Sequence, residues 1–277
     1  MSIAIGGISD LYIIVGTNPI EIVADFQNFI VGLPTMPPAH ALGWNQCRWG
    51  YEDTAALKAV VAGYEDNGIP LDNQWSDIDY MFNYRNFEID QNRFSDLGEF
   101  VDDLHTKGMH YVPIVDAGIA YRPWGDYSAF TDGVDQDIFI KANSDLQNDV
   151  FIGEVWPNEA AYVDWFKSEA VTWWKAQLDS FASQVDFDGL WLDMNEASNF
   201  CTGPCKRDQM PDNSAVNNLL YIPTDRNLNT KSISVDAWHT GDVLEIDAHN
   251  LYGVKEVQAT NEYFNDNTKR TFIISRS

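Results

Sequence analysis

The stretch DGLWLDMNEASNF (188–200) sets carboxylates in and around an apolar run. Leu190, Trp191, Leu192 and Met194 read as a short buried strand, yet Asp193 stands inside it and Glu196 follows. Burying a carboxylate without a partner costs several kcal/mol, so an acid in such a place has a task. Two more acids stand at the ends of apolar runs, Asp77 after IPLDNQWS and Asp116 after HYVPIV. Such a carboxylate can be a metal ligand, a general acid or base, a nucleophile, or a structural hydrogen-bond acceptor. Three of them at successive strand ends, with tryptophans between, point to a pocket. Glycoside cleavage uses this equipment: one carboxylate to attack or stabilise the anomeric carbon, another to protonate the leaving oxygen, and further acceptors for sugar hydroxyls. Aromatic faces pack the apolar side of the ring.

These acids need elements to hold them, and the hydrophobic pattern supplies alternating strands and helices. ALGWNQCRW (41–49) predicts a strand. Leu57, Val60, Val61 and Tyr64 then fall on one helical face, with Asp53 as cap and Gly68 as stop. A strand and its loop follow at 69–81, then a helix over 96–107 with Ser95 as N-cap, Leu97, Phe100, Val101 and Leu104 as its apolar face, and Gly108 at its end. The strand HYVPIVDAGI (110–119) holds Pro113, which removes a ladder donor and calls for a bulge or a strand end. A helix over 168–184, carrying Val171, Trp174, Leu178 and Phe181, leads to GLWLDMN, and TFIIS (271–275) is the last strand. The strand ends carry Arg48 and Trp49, Asp77, Asp116, Asp193 and Arg276. In barrels of alternating strands and helices, the loops at that edge build the active site. No GxGxxG or P-loop appears, which disfavours a nucleotide site.

Residues 1–38 read as an apolar, β-rich start, a helix after Asn18 and Pro19 with Ile22, Phe26, Phe29 and Ile30 on one face, and the linker LPTMPP. Residues 201–250 are polar and read as an excursion from the barrel.

Composition narrows the functions. A net charge of −25, from 17 basic and 42 acidic residues, argues against nucleic acid and against an anionic membrane surface. Ten tryptophans favour sugar stacking as well as core filling. With three cysteines there is no disulfide scaffold, although Cys201 and Cys205 in CTGPC are close enough to close a small loop, leaving Cys47 over. No histidine stands at zinc-site spacing, and no metal or other cofactor is expected. No run of apolar residues is long enough to span a membrane, and the first residues make a poor signal peptide.

DGLWLDMNEASNF resembles the signature of glycoside hydrolase family 31, whose best-known members are α-glucosidases. ALGWNQCRWGY (41–51), GIPLDNQWSDIDYMFNYRNFEID (68–90), YVPIVDAGI (111–119), DVFIGEVWP (149–157), DAHNLYG (247–253) and RTFIISRS (270–277) follow in that family's order. The resemblance implies an α/β fold: an incomplete (β/α)8 TIM barrel over 39–277, with its last strands missing, preceded at 1–38 by the tail of an N-terminal β-sandwich. It implies Asp193 as the nucleophile of a retaining, exo-acting α-glucosidase, and a partner carboxyl about 5–5.5 Å away. It assigns Asp77 and Arg276 to the hydroxyls of the bound sugar. Ile78, Asp116, Trp156, Trp191, Met194 and Phe200 fall at pocket-lining positions, and Trp49 at the pocket mouth. Glu196 is expected to support the strand end. Ala117 stands where the family commonly has Pro.

WLDMNE resembles the α-glucosidase branch more than the α-xylosidase branch, so the implied substrate is an α-glucoside oligo- or polysaccharide. The family's acid/base Asp lies shortly after the ISRS segment, beyond Ser277, so these residues alone are expected to be inactive. An unclosed barrel is also expected to expose unpaired edges. A secreted, lysosomal or vacuolar lumen is the expected compartment. The alternative is a non-catalytic remnant or decayed copy that holds sugar through Asp77, Trp156 and Arg276.

Overall fold

The structure, a computed structural model, describes residues 8–143, 149–206, 209, 215–222, 227–265, 270 and 272–277. Asn18 caps α1 (Pro19–Phe26) by accepting from the Glu21 amide at 3.0 Å. No residue between 8 and 38 is buried, and residues 8–17 contain no strand, unlike the β-rich start expected there.

Strand β1 is only Asn45–Gln46, shorter than the run over 41–49 suggests. A 3-10 turn takes up Ala39–Leu42, and the Asp72 carboxylate binds the Trp44 amide at 2.8 Å just before the strand starts. Helix α2 (Thr54–Asp66) forms as its spacing predicts: Asp53 accepts from the Ala56 amide at 2.8 Å, Leu57 and Val61 are buried, and Gly68 turns the chain at φ +63°. After β2 (Asn73–Ser76), α3 (Leu97–Thr106) buries the four expected residues. Its N-cap is Asp96 rather than Ser95, and the Asp96 carboxylate binds Lys58 at 2.6 Å instead of the helix end. There follow β3 (His110–Asp116), β4 (Gly118–Ala120), α4 (Ser128–Asp135), β5 (Gly153–Val155), β6 (Asn158–Tyr162), α5 (Ser168–Ala182) and β7 (Leu190–Asp193). The chain continues through β8 (Ser198–Thr202), β9 (Thr230–Ser232), β10 (Trp238–His239), β11 (Val243–Leu244), α6 (Glu245–Ala248), α7 (Tyr252–Asn265) and β12 (Ile273–Arg276).

The order β1-β2-β3-β7-β12 makes one parallel sheet, five consecutive staves of an incomplete (β/α)8 barrel. Pro113 lies within β3, opposite Ser76 of β2, with no bulge, and pairing to β7 begins one residue later at Ile114. This differs from the bulge or strand-end position anticipated for it. Helix α5 buries Trp173, Trp174, Leu178 and Phe181 in the main core, and Trp174 Nε1 donates to Thr260 of α7 at 3.0 Å. A smaller antiparallel sheet, β4-β6-β5, grows from the end of β3, and β8 pairs with β9 as β10 does with β11. No helix among the described residues is long and apolar enough to cross a membrane.

A buried ion chain ties the β10–α6 region to the end of β6. His239 Nδ1 lies 3.1 Å from Asp164 and its Nε2 2.8 Å from Glu245, which also binds His249 at 2.8 Å. Burial alone would lower the His239 pKa, but its two carboxylate partners raise it to about 9. Its contribution to stability is thus complete below about 6.5 and is lost as pH rises through the folded value. Burial would raise Asp164 and Glu245, yet the bonds from His239 bring both below their usual values. Their contribution is present above about pH 4.5 and is lost as the solution turns more acid. Replacing His239 with Gln removes the buried cation that Asp164 and Glu245 share and is expected to cost about 3–5 kcal/mol in urea unfolding near pH 6. The loss should shrink above pH 9; a change under about 1 kcal/mol at pH 6 would show the chain to be unimportant.

Candidate active site

Side chains alternate across a strand, so parallel register decides which residues share a face. Asp116 of β3 and Arg276 of β12 are both Cα partners of Asp193 in β7. The three form one row across adjacent strands, on the face that also carries Trp75, Val112 and Trp191. Leu190 and Leu192 point the other way, into the main core. Trp75 packs against Trp191 at 5.9 Å and against Phe272 at 5.8 Å, making an apolar floor under the row.

The chain bends sharply after Asp193, because Met194 adopts a left-handed φ of +59°. That conformation is costly for a non-glycine residue and tends to persist where function needs it. Met194 packs on Val155 and Ala160, with Phe200 alongside. Asp193 is partly buried, and burial lifts its pKa above the usual carboxylate value, while the Met194 amide and Arg276 oppose the shift. Arg276 Nε stands 3.9 Å from Asp193 Oδ1, and its Nη1 binds Glu196 at 2.9 Å. With its side chain 62% exposed, Arg276 is held by Glu196 with donors still open to a ligand.

Asp116 is 3% exposed, and neither carboxylate oxygen has a partner among the described residues. Burial, reinforced by the charges of Asp193, Asp77 and Glu256, holds its carboxyl well above the ordinary range. Its surroundings thus favour the protonated form. Asp77 follows β2 on the same edge, accepts from the Ile78 amide at 2.7 Å, and is raised by burial and by its acidic neighbours Asp79 and Asp193. Ile78 itself is 1% exposed within the main core, so its side chain has almost no face left for a ligand, unlike the pocket-lining place expected for it.

Above this row stands an aromatic wall. Trp156, in the turn between β5 and β6, meets Phe200 edge-on at 5.4 Å and lies 6.2 Å from Trp49, which is 61% exposed. Tyr84 adds a third ring 6.4 Å from Trp156 and was not singled out from the sequence. Asn83 and Tyr84 both have positive φ, +51° and +57°, and no neighbouring Gly signals this turn. Asn86 was missed as well: it brackets the Asp116 backbone, donating to its carbonyl at 2.7 Å and accepting from its amide at 3.0 Å.

Cys201 and Cys205 form a disulfide, so the small loop closes. Glu154 is near both sulfurs, but sulfurs bonded to each other offer no thiolate, and the trio makes no metal centre. Among the described residues Asp77, Asp116 and Asp193 are not gathered closely enough to share one ion.

Over residues 34–277 the chain matches the model of the glycosyl hydrolases family 31 TIM-barrel domain. It is 37% identical over 276 residues to the lysosomal alpha-glucosidase of Rattus norvegicus, covering 98% of this chain and 28% of that protein. To an alpha-glucosidase of Hordeum vulgare it is 37% identical over 278 residues, covering 99% and 31%. The DNJ-bound form of a glucosidase II alpha subunit superposes with a TM-score of 0.75 at 26% identity, over 94% of this chain and 25% of that one. The chain thus spans less than a third of the length of these relatives.

Proposed function

The chain belongs to glycosyl hydrolase family 31, and on that footing we propose that it carries the nucleophile side of a retaining, exo-acting α-glucosidase. The observation that carries this reading is the row Asp116–Asp193–Arg276 on three adjacent strands, with Asp193 partly buried at a left-handed bend. Asp193 attacks the anomeric carbon of a terminal α-linked glucose. Its oxygen forms a bond to that carbon as the bond to the leaving oxygen breaks, giving a covalent glycosyl-enzyme. Water then displaces Asp193 from the opposite side, so two inversions return glucose as the α-anomer.

Asp77, Asp116 and Arg276 hold hydroxyls of the bound ring, and the apolar face of the ring lies on Trp191 and Met194. Trp156, Phe200 and Trp49 pack the next sugar at the mouth, which suits removal of one unit at a time from oligo- or polysaccharides.

The leaving oxygen needs a proton. Asp116 is on the pocket floor, Asp77 holds the turn after β2, and Glu196 is engaged with Arg276. Each of these has another task in this reading, so the donor is proposed to be a further carboxyl, the acid/base Asp that the family 31 resemblance puts after the ISRS segment. Alone, residues 1–277 are expected to bind sugar without turning it over. A lysosomal, vacuolar or secreted setting agrees with the Cys201–Cys205 bridge and the net charge of −25.

The test is to supply the whole protein with an aryl α-glucoside and follow the released sugar by proton NMR. The α-anomer should appear first, and β-glucose only later by mutarotation. β-Glucose appearing first would overturn the retaining mechanism; sugar binding without hydrolysis would favour the non-catalytic alternative.

A further inference from the structure

Behind the row lies a group for which this mechanism has no use. Glu256 of α7 is 0% exposed, and neither of its carboxylate oxygens has a partner among the described residues. A buried carboxyl with no ion pair is expensive to keep. Burial raises its pKa to about 8, and the one side chain opposing that shift is Asn195. Burial thus biases Glu256 toward its neutral form, beside an amide.

Asn195 is itself 0% exposed and lies two residues after the nucleophile. Its Oδ1 accepts from Ser275 Oγ at 3.0 Å and from Ser277 Oγ at 2.6 Å, the residues on either side of Arg276. With Oδ1 turned to the two hydroxyls, Nδ2 has no partner among the described residues and is left for Glu256. The first turn of α7 presses on the same place. A Cβ on Gly253 would come 2.8 Å from the Asn195 carbonyl and 2.6 Å from Ser277 Oγ, so only glycine permits this approach. From the other side Glu256 is fixed by its helix, since its carbonyl accepts from Thr260 Oγ1 at 2.9 Å and Thr260 accepts from Trp174 of α5.

We propose that Glu256 is a positioning residue for glycoside cleavage: its carboxyl accepts from the Asn195 amide, which through Ser275 and Ser277 locks the chain after Asp193 and both neighbours of Arg276 into one unit. The nucleophile and the arginine that share the ring are then aimed together, from a helix that touches neither the sugar nor Asp193. This rests on the family 31 reading of Asp193 as the nucleophile.

The experiment compares Glu256→Gln with Glu256→Leu in the whole protein, by activity and by hydrogen exchange. Gln keeps an acceptor for the amide; Leu keeps bulk and removes it. The Leu variant should lose about tenfold to hundredfold in kcat, the scale of a small misplacement of reacting groups. The Gln variant should stay within about threefold of wild type, a rescue that packing alone would not single out. Backbone exchange over 193–198 should quicken in the Leu variant and not in the Gln variant. If the Leu variant does not fold, Ser275→Ala with Ser277→Ala cuts the other side of the relay and should lower kcat likewise. Unchanged exchange in the Leu variant overturns the proposal whether or not any α-glucoside is cleaved, as does an unchanged kcat in whichever of these variants folds. A wild-type protein that cleaves no α-glucoside would instead count against the family 31 reading, while exchange still decides the role of Glu256.

Discussion

Asp193→Gly in the whole protein is expected to lower kcat on an aryl α-glucoside by about 10⁴-fold or more, the scale of losing a covalent nucleophile. The fold should survive, because a small residue suits the left-handed bend that begins at Met194. Added azide should restore part of the rate with an activated leaving group by entering the space of the lost carboxylate. The product should be the β-glucosyl azide, since a single displacement inverts the anomeric carbon. That stereochemistry separates a nucleophile from an acid, whose loss would leave Asp193 in place and deliver an α-azide. A variant retaining more than about 1% of the rate would remove Asp193 from the reaction. The wild-type profile adds a check on protonation. Attack requires the carboxylate, and burial raises the Asp193 pKa. Activity should therefore fall on the acid side, through a pKa above the usual value of about 3.9.

Local pattern reaches as far as local forces do. Leu57, Val60, Val61 and Tyr64 mark α2, and Asp53 marks its start, because a helix is decided within a few turns and its cap is adjacent in sequence. Strand ends at Asp116 and Asp193 are legible for the same reason. The row they form with Arg276 is not, since it depends on parallel register between segments far apart in the chain. The short β1 follows from Asp72, which lies 28 residues beyond the Trp44 amide it binds. Helix α7 is hidden more thoroughly. Its buried stripe is Tyr252, Gly253, Glu256, Ala259, Thr260 and Phe264, correct in period but mostly polar or tiny, so hydrophobicity does not report it. The polar members of that stripe are the ones that meet Asn195 and Trp174. Asn86 is equally silent, as its Asp116 partner lies 30 residues away. Family resemblance supplied the catalytic assignment; the supporting groups emerge only when the strands are laid side by side.

Asp116→Asn should separate binding from proton transfer and should have opposite effects on activity and stability. In the proposed function Asp116 donates to a sugar hydroxyl on the pocket floor and should contribute equally whatever the leaving group. The variant is expected to lose about 10²–10³-fold in kcat/KM, the range for one strong polar contact to the reacting ring. The loss should be the same for maltose as for a dinitrophenyl α-glucoside. An acid catalyst would behave otherwise, because an activated phenol leaves without a proton, and a loss confined to maltose would make Asp116 the missing donor. Stability should move the other way. Asp116 binds its proton more tightly folded than unfolded, through burial and the charges of Asp193, Asp77 and Glu256. Above about pH 4 the unfolded chain has released that proton while the folded chain retains it, so wild-type stability declines as pH rises. Asn occupies the same volume without a proton to retain. The variant should thus melt higher than wild type at pH 7, with the gap narrowing toward pH 4. A variant less stable at every pH would mean that the Asp116 carboxyl holds the strand end together rather than waiting, at a cost in stability, for a substrate.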